Sequence, residues 1–202
     1  MMGGNTSLFF MYYGIRYDLS RIEGDDVTVD TVADLLTEKK VIAVFQGKSE
    51  AGPRALGNRS ILYDPRDPNG QEKINNIKRR EQFRPFAASI LHNHVKEWFL
   101  IDSSPHMSYA VDARLHTHNK IPAVLHHDYT SRIQTVTYEE NPRFFDIISR
   151  FFGRTGVPMV LNTSFNLAGD PLVETPDEAL DTLKKSEIDY VYFPEINKLV
   201  GN

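Results

Sequence analysis

The sequence predicts one α/β (α+β) domain in which helices flank a mixed β-sheet. The length of 202 residues is close to the usual size of a single domain. Helical and extended patterns alternate along the chain, and several extended segments follow one another in its middle. Hydrophobic residues make up 41% of the sequence and charged residues 25%, a balance typical of proteins that bury a core.

The first half of the chain contains two clear helical patterns and a buried strand. Asp30 or Thr31 can cap a first helix, which carries an apolar stripe. The continuous apolar run Val41–Phe45 comes next and favours a strand that is buried on both faces. The other elements predicted here are a helix over Gly70–Arg80, a strand over Phe86–Leu91 and a short helix over Val95–Leu100.

The second half is predicted to add further strands and two longer helices. Asn141 and Pro142 open a helix that runs through Phe152, and Gly153 or Gly156 can end it. The remaining predicted elements are strands over Met107–Ala113, Ile121–Leu125, Ile133–Thr137, Val157–Leu161 and Tyr190–Phe193, and a helix that a capping box opens at Thr175–Glu178 and that runs to about Lys185.

Composition excludes several classes of protein. The sequence has no cysteine, which rules out disulfides, thiolate metal sites and cysteine nucleophiles, and we expect a cytoplasmic protein. No apolar run reaches the roughly 18–20 residues of a membrane span, and the segment Leu8–Tyr13 is too short for one. The formal charge of −4 argues against a generally basic nucleic-acid-binding protein.

The net charge conceals a basic island. The segment 46–84 holds nine Lys/Arg and five Asp/Glu residues, a formal charge of +4, whereas the rest of the chain has a charge of −8. This asymmetry indicates a local anionic ligand, and a solvated surface of mixed charge is the alternative.

A glycine-rich segment follows the predicted strand Val41–Phe45. It contains Arg54, Asn58, Arg59 and Ser60, and this mixture of guanidinium, amide and hydroxyl donors suits an anion or nucleotide pocket. The segment matches neither the Walker loop nor the dinucleotide-binding pattern. The alternative interpretation is a glycine-rich turn that arginine–backbone hydrogen bonds hold in place.

A cationic cluster lies where the helix over Gly70–Arg80 leads into the next strand. Lys78, Arg80 and Arg84 belong to it, and these charges repel one another unless an anion lies between them. We expect them to meet at a sheet edge, a common position for ligands in α/β folds. A basic helix end that complements the helix dipole explains Arg84 less well than the other cations, because Arg84 lies beyond the helix.

Two later clusters place polar side chains beside predicted strands. Thr130 and Arg132 suit a phosphate, and the nearby pair His126 and Asp128 permits a metal or general-base interpretation. We predict no metal site from the histidine pairs 92/94 and 116/118, since no third ligand joins them. The fourth cluster includes Asn162, Ser164 and Asn166, which are donors for a polar ligand or form a turn that closes the strand.

Together and in this order, these clusters resemble the C-terminal domain of the O-carbamoyltransferases of the nodulation-protein and antibiotic-tailoring type, a YrdC-like domain. The similarity covers about residues 30–195. Residues 1–29 are predicted to be a lead-in or linker segment and residues 30–202 the YrdC-like domain, a twisted mixed sheet flanked by helices. The motifs that support the resemblance are Gln46–Leu62, Asp64–Arg66, Asn76–Ala87, Pro122–Val136 and Leu161–Asn166.

The resemblance implies that the chain forms carbamoyl-adenylate from carbamoyl phosphate and ATP with Mg²⁺, releasing phosphate and pyrophosphate. A separate Kae1-like domain or subunit then transfers the carbamoyl group to a hydroxyl acceptor. Lys78, Arg84 and Arg132 are implied as catalytic residues. The implied ligand-binding residues are Arg54, Asn58, Arg59, Ser60, Arg80, Thr130, Asn162 and Ser164.

Two departures from the family pattern keep alternatives open. Tyr129 stands where the family has glycine, in a loop where we expect a positive φ. The Kae1-like domain does not precede this one in the sequence. A non-catalytic module that binds nucleotide or carbamoyl phosphate is therefore the alternative function, and RNA binding is a third hypothesis against which the negative charge argues.

Overall fold

The computed structural model describes residues 12–202, whose centre is a buried mixed β-sheet. The helices are α1 (Val29–Thr37), α2 (Gly70–Ile77), α3 (Val95–Trp98), α4 (Pro142–Thr155) and α5 (Pro176–Lys184). The strands are β1 (Asp25–Asp26), β2 (Ile42–Phe45), β3 (Arg59–Tyr63), β4 (Ala87–Leu91), β5 (Ala110–Asp112), β6 (Thr130–Val136), β7 (Met159–Ser164), β8 (Tyr190–Phe193) and β9 (Lys198–Gly201).

The sheet has the strand order β1-β9-β8-β2-β3-β7-β4-β6-β5. Strand β2 runs parallel to β8, and β4 runs parallel to β6, while the other neighbouring pairs are antiparallel. Strands β2, β3 and β4 are buried along their whole lengths. The mixed α/β architecture predicted from the sequence is thereby confirmed.

Local signals fix the two later helices. The side chain of Asn141 accepts a hydrogen bond from the backbone N–H of Phe144 at the start of α4, and Gly156 ends this helix with φ 69°. The apolar face of α4 is fully buried. Helix α5 begins with the predicted capping box, in which Thr175 and Glu178 satisfy each other's backbone N–H groups.

Some predicted boundaries are wrong. Helix α1 is capped by Thr28 and not by Asp30 or Thr31, because the hydroxyl of Thr28 reaches the backbone N–H of Thr31. The helix predicted over Gly70–Arg80 ends at Ile77. The predicted strand Ile121–Leu125 is instead a buried 3₁₀ turn, because proline at its second position cannot donate to a strand ladder.

The structure also adds strands that the sequence did not indicate. Strand β3 begins at Arg59, inside the glycine-rich segment, and is held between β2 and β7. Strands β1 and β9 pair with each other at the opposite edge from β5. These short or glycine-flanked segments are strands because neighbouring strands supply their hydrogen-bond partners.

Part of the predicted lead-in segment packs on the sheet. Leu19 is buried, and the ring of Tyr17 contacts Phe45 edge to face, with 6.1 Å between the centroids. The apolar segment Leu8–Tyr13 lies outside the described residues except for its last two positions. Within residues 12–202, no helix is long and apolar enough to cross a membrane.

Gly57 is expected to tolerate no side chain. Its φ is 109°, and an added Cβ would lie 2.4 Å from the ring of Phe144. Gly57→Ala should therefore lower the free energy of unfolding by roughly 2–4 kcal/mol, measured by urea denaturation. Gly153→Ala is the matched control, because Gly153 lies in α4 with nothing within 4 Å of an added Cβ. This control should raise stability by about 0.5–1 kcal/mol, and an equal effect of both changes would contradict the packing described.

Candidate functional site

Two adjoining cavities lie where β4 and β6 begin and β7 ends. The inner cavity has a volume of about 320 Å³ and the outer cavity about 610 Å³. Arg80 and Ser164 line both of them, so they form the junction between the cavities. The polar residues of the inner cavity are Arg54, Arg80, His126, Arg132, Asn162, Thr163 and Ser164, and those of the outer cavity include Lys78, Arg79, Arg80, Glu81, Arg84, Ser164 and Asn166.

Sheet register brings the walls of the inner cavity together. Ala87 at the start of β4 lies opposite Arg132 of β6 on one side and opposite Asn162 of β7 on the other. Residues that are far apart in the sequence therefore meet at the same end of three neighbouring strands.

Lys78 is a buried cation whose hydrogen-bond partners in the described part of the chain are all uncharged. It follows α2 directly, and its Nζ donates to the Ser164 carbonyl at 2.5 Å, to the Ser164 hydroxyl at 3.2 Å and to Asn166 Oδ1 at 3.0 Å. Burial, and secondarily the charge of Arg80, lowers the pKa of Lys78 to about 7. An anion in the outer cavity would supply an opposite charge that these partners do not provide.

The guanidinium of Arg80 is fixed at the junction between the cavities. Its Nε donates to Asn75 Oδ1 at 2.7 Å, and its central carbon lies 4.4 Å from the centroid of the Phe86 ring. Burial, together with the nearby Arg84, lowers the pKa of Arg80 to about 10. Arg84 itself is half-exposed and forms an ion pair with Glu81 at 2.8 Å.

Arg132 and Arg54 bring positive charge to the inner cavity with few internal partners. Among residues 12–202, the Arg132 side chain makes no hydrogen bond or ion pair, and Arg54 donates only to the adjacent carbonyl of Pro53 at 3.3 Å. Since the described lining of this cavity contains no carboxylate, its charge is positive and suits an anion.

Asn162 connects the cavity wall to the glycine-rich segment. Its Nδ2 donates to the Ala55 carbonyl at 3.1 Å and to Ser89 Oγ at 2.9 Å. Its Oδ1 is buried and has no hydrogen-bond partner among residues 12–202, although the residue lines the inner cavity. A ligand N–H or O–H group that reached this oxygen would satisfy it.

Four of the predicted ligand-binding residues lie outside both cavities: Thr130, described below, and three residues of the glycine-rich segment. Arg59 is fully buried, and its guanidinium donates to the carbonyls of Gln46, Asn58, Gly47 and Glu174 at 2.6–3.3 Å. The Asn58 amide donates to the Lys48 carbonyl, and the hydroxyl of Ser60 accepts from the backbone N–H of Gly57. The structure therefore gives all three side chains internal partners and matches the alternative interpretation, a turn held by arginine–backbone hydrogen bonds.

A buried carboxylate organises the same turn. One oxygen of Glu50, Oε1, accepts from the backbone N–H groups of Leu56, Asn58 and Arg59 at 2.8, 2.8 and 3.2 Å. Burial raises the pKa of Glu50, and the three hydrogen bonds oppose that effect. No role for Glu50 was predicted from the sequence, because its partners are backbone groups that leave no signal in the residue types.

The loop before β6 holds the histidine that lines the inner cavity. Thr130 does not line either cavity, and its hydroxyl lies 3.0 Å from His126 Nδ1 and 2.7 Å from Asp128 Oδ1. Tyr129 has a φ of 60°, so the positive φ expected at this position is confirmed. The Tyr129 ring stacks on His118, with 4.3 Å between the centroids.

Several residues that line the cavities are absent from the predicted site, and four of them are informative. His126 and Asn166 occur in motifs that the sequence analysis singled out, so a signal for them was present. Phe86 and Met107 form apolar walls, for which a sequence pattern gives no warning. Among the described residues, no group of three or more His, Cys, Asp or Glu side chains is placed to hold a metal ion.

Comparison with known proteins identifies relatives of this chain. A model of the family described as carbamoyltransferase C-terminus matches residues 33–198. The nodulation protein NolO of Bradyrhizobium diazoefficiens is 40% identical over 173 residues, which cover 83% of this chain and 32% of NolO. The chain therefore spans about a third of the length of this relative.

Solved structures show the same fold at low sequence identity. Full-length HypF in its phosphate- and nucleotide-bound form is 17% identical, with a TM-score of 0.53 over 85% of this chain and 24% of HypF. YciO of E. coli is also 17% identical, with a TM-score of 0.56 over 82% of this chain and 76% of YciO. The YrdC-like fold that the motifs imply is thereby confirmed.

The buried ammonium of Lys78 should make stability depend on pH. The pKa of Lys78 is about 7 in the folded chain, whereas the ordinary pKa of a lysine is 10.5. Between these two pH values the unfolded chain therefore binds more protons than the folded chain. The free energy of unfolding should rise with pH across this window, by up to about 1.4 kcal/mol per pH unit relative to Lys78→Met.

Urea denaturation of both proteins at pH 7, 8 and 9 measures this difference. Lys184→Met, at an exposed position of α5, is the control and should follow the unaltered chain. If the free energy of unfolding changes with pH in the same way in the unaltered chain and in Lys78→Met, Lys78 does not titrate in this window.

Proposed function

Because the chain belongs to the carbamoyltransferase C-terminus family, we propose that it forms carbamoyl-adenylate from carbamoyl phosphate and ATP. The observation that supports this most directly is the pair of adjoining cavities that share Arg80 and Ser164. One anionic substrate can occupy each cavity, and their reacting atoms can meet at the junction.

The volumes and charges suggest which substrate occupies which cavity. The inner cavity of about 320 Å³, with Arg54, Arg80 and Arg132 in its wall, is assigned to carbamoyl phosphate. The larger outer cavity, with Lys78 and Arg84, is assigned to the phosphates of ATP. Arg80, at the junction, then screens the repulsion between the two polyanions.

Catalysis in this proposal rests on position and charge. Water first converts carbamoyl phosphate to carbamate and phosphate. An oxygen of this carbamate attacks the α-phosphorus of ATP, an O–P bond forms, and the bond to pyrophosphate breaks. Lys78 and Arg84 stabilise the charge that develops on the departing pyrophosphate. The uncharged partners of Lys78 keep it in place without neutralising its charge.

Mg²⁺ and the acceptor complete the proposed reaction from outside this chain. We assign Mg²⁺ to the substrate, as the complex with ATP, and not to a resident metal site. Transfer of the carbamoyl group to a hydroxyl acceptor is assigned to a Kae1-like partner, and the location is proposed to be the cytoplasm. A module that binds these ligands without turnover is the competing function, for which the tyrosine at position 129 is the motivating departure.

The chain should release phosphate and pyrophosphate when both substrates are present. Incubation with ATP, Mg²⁺ and carbamoyl phosphate should yield both products in equal amounts, measured by separate coupled assays. Omission of carbamoyl phosphate should abolish pyrophosphate release. Tight ATP binding by calorimetry without any pyrophosphate, even after addition of a Kae1-like partner, would instead establish the non-catalytic function.

Arg132 should be needed for the use of carbamoyl phosphate. Arg132→Gln removes a guanidinium that has no internal partner among the described residues, so the fold should be unaffected. We expect the KM for carbamoyl phosphate to rise at least 10-fold, as loss of a charge-assisted contact worth about 1.5–3 kcal/mol implies. Arg150→Gln, on the exposed side of α4, is the matched control. Unchanged kinetics in Arg132→Gln would remove Arg132 from the site.

A further inference from the structure

His126 is oriented by a short chain of hydrogen bonds that ends on a carboxylate. Thr130 Oγ1 lies 2.7 Å from Asp128 Oδ1 and 3.0 Å from His126 Nδ1. The same carboxylate oxygen accepts the backbone N–H of Thr130 at 3.0 Å. Hydrogen bonds from Thr130 lower the pKa of Asp128, so this carboxyl group is ionised at neutral pH and can only accept hydrogen bonds.

The proton count along this chain fixes the tautomer of His126. The hydroxyl of Thr130 has one hydrogen, and it donates that hydrogen to Asp128. Its oxygen must therefore accept from His126, which places the ring proton on Nδ1. The other ring nitrogen, Nε2, keeps its lone pair and has no partner among residues 12–202, and His126 lines the inner cavity.

The proposed reaction consumes water, because its products include one more oxygen atom than its two substrates supply. A base is required to take a proton from this water as it attacks. Carbamoyl phosphate can yield phosphate and carbamate only if water is consumed. The oxygen of water bonds to the carbonyl carbon, the bond from that carbon to the phosphate oxygen breaks, and the electron pair leaves on phosphate. One proton of the water passes to a base, and the other ends on the released phosphate.

We propose that His126 is a catalytic residue for this hydrolytic step, with Nε2 as the general base for the attacking water and with Thr130 and Asp128 as positioning residues. The inference rests on the proposed function, which assigns carbamoyl phosphate to the inner cavity. Carbamate formed there then passes the junction at Arg80 and attacks ATP.

The surroundings keep the imidazole in the form that a base requires. Burial lowers the pKa of His126, and the nearby charge of Asp128 opposes this effect only in part. Three guanidinium groups line the same cavity from other segments, and no carboxylate is among its described lining residues. The guanidinium groups belong to Arg54, Arg80 and Arg132.

The test compares two sources of carbamate. His126→Gln should lower phosphate and pyrophosphate release from carbamoyl phosphate by about 10²-fold or more, the usual size of a general-base contribution. Ammonium bicarbonate solutions contain carbamate and bypass hydrolysis, so with this source and ATP the variant should release pyrophosphate within about 3-fold of the unaltered chain. His127→Gln, at the exposed neighbouring position, is the matched control.

The positioning residues have their own readout. Thr130→Val removes the acceptor for Nδ1–H and should lower kcat with carbamoyl phosphate, whereas Thr130→Ser should restore it. In the unaltered chain, kcat should fall as pH drops through the pKa of His126, and this acid limb should be missing in His126→Gln. Lys78, whose pKa is about 7, is unaltered in both proteins and so is a constant background.

Each outcome separates this inference from the function on which it rests. If the unaltered chain releases no pyrophosphate from either carbamate source, the proposed function fails. If the unaltered chain is active, two outcomes overturn the inference while the proposed function stands. Either His126→Gln loses the same activity with both carbamate sources, or it keeps full activity with both, and in each case His126 is not the base for hydrolysis.

Discussion

The buried carboxylate of Glu50 is the constraint on which the rest of the site depends. A buried polar group is costly unless it is hydrogen-bonded, and here Oε1 receives three backbone N–H groups from the start of β3 and the turn before it. Arg59 places the opposite charge nearby and draws four carbonyl groups around its guanidinium. Together these two residues fix the segment between β2 and β3, and the segment so fixed presents Pro53–Ala55 to the inner cavity.

The arginines of the basic island include one that binds backbone carbonyls inside the protein and others that line the inner cavity. A guanidinium can satisfy backbone carbonyls or ligand oxygens, but Arg59 uses its donors on carbonyls and is fully buried. Arg54 and Arg80, from the same island, line the inner cavity, where Arg132 of β6 joins them. The positive charge available to an anion is therefore smaller than the count of cations suggests, but it is concentrated at one edge of the sheet.

Lys78 connects the end of α2 to the segment after β7. Its side chain donates to Ser164 and Asn166, and its carbonyl accepts the backbone N–H of Ala168. Hydrogen bonds from both the side chain and the backbone of Lys78 therefore join the end of α2 to the segment after β7, and these two segments form the wall of the outer cavity. The family resemblance drew attention to Lys78, and the structure shows that its side chain is buried against uncharged partners.

The sequence alone determined the elements whose signals are local. The capping box at Thr175, the cap at Asn141 and the apolar run of β2 act within a few residues of the chain, and the structure has a helix or strand at each. The motifs also marked the segments from which the cavities are built. Tertiary structure decided the rest, because the deciding contacts join distant residues. Strand β3 exists because β7, about 100 residues later, pairs with it, and the turn that makes Arg59 face inward also points Arg54 to the cavity. Residue type shows that an arginine can bind an anion, but only the completed sheet decides whether a ligand or a backbone carbonyl lies within its reach.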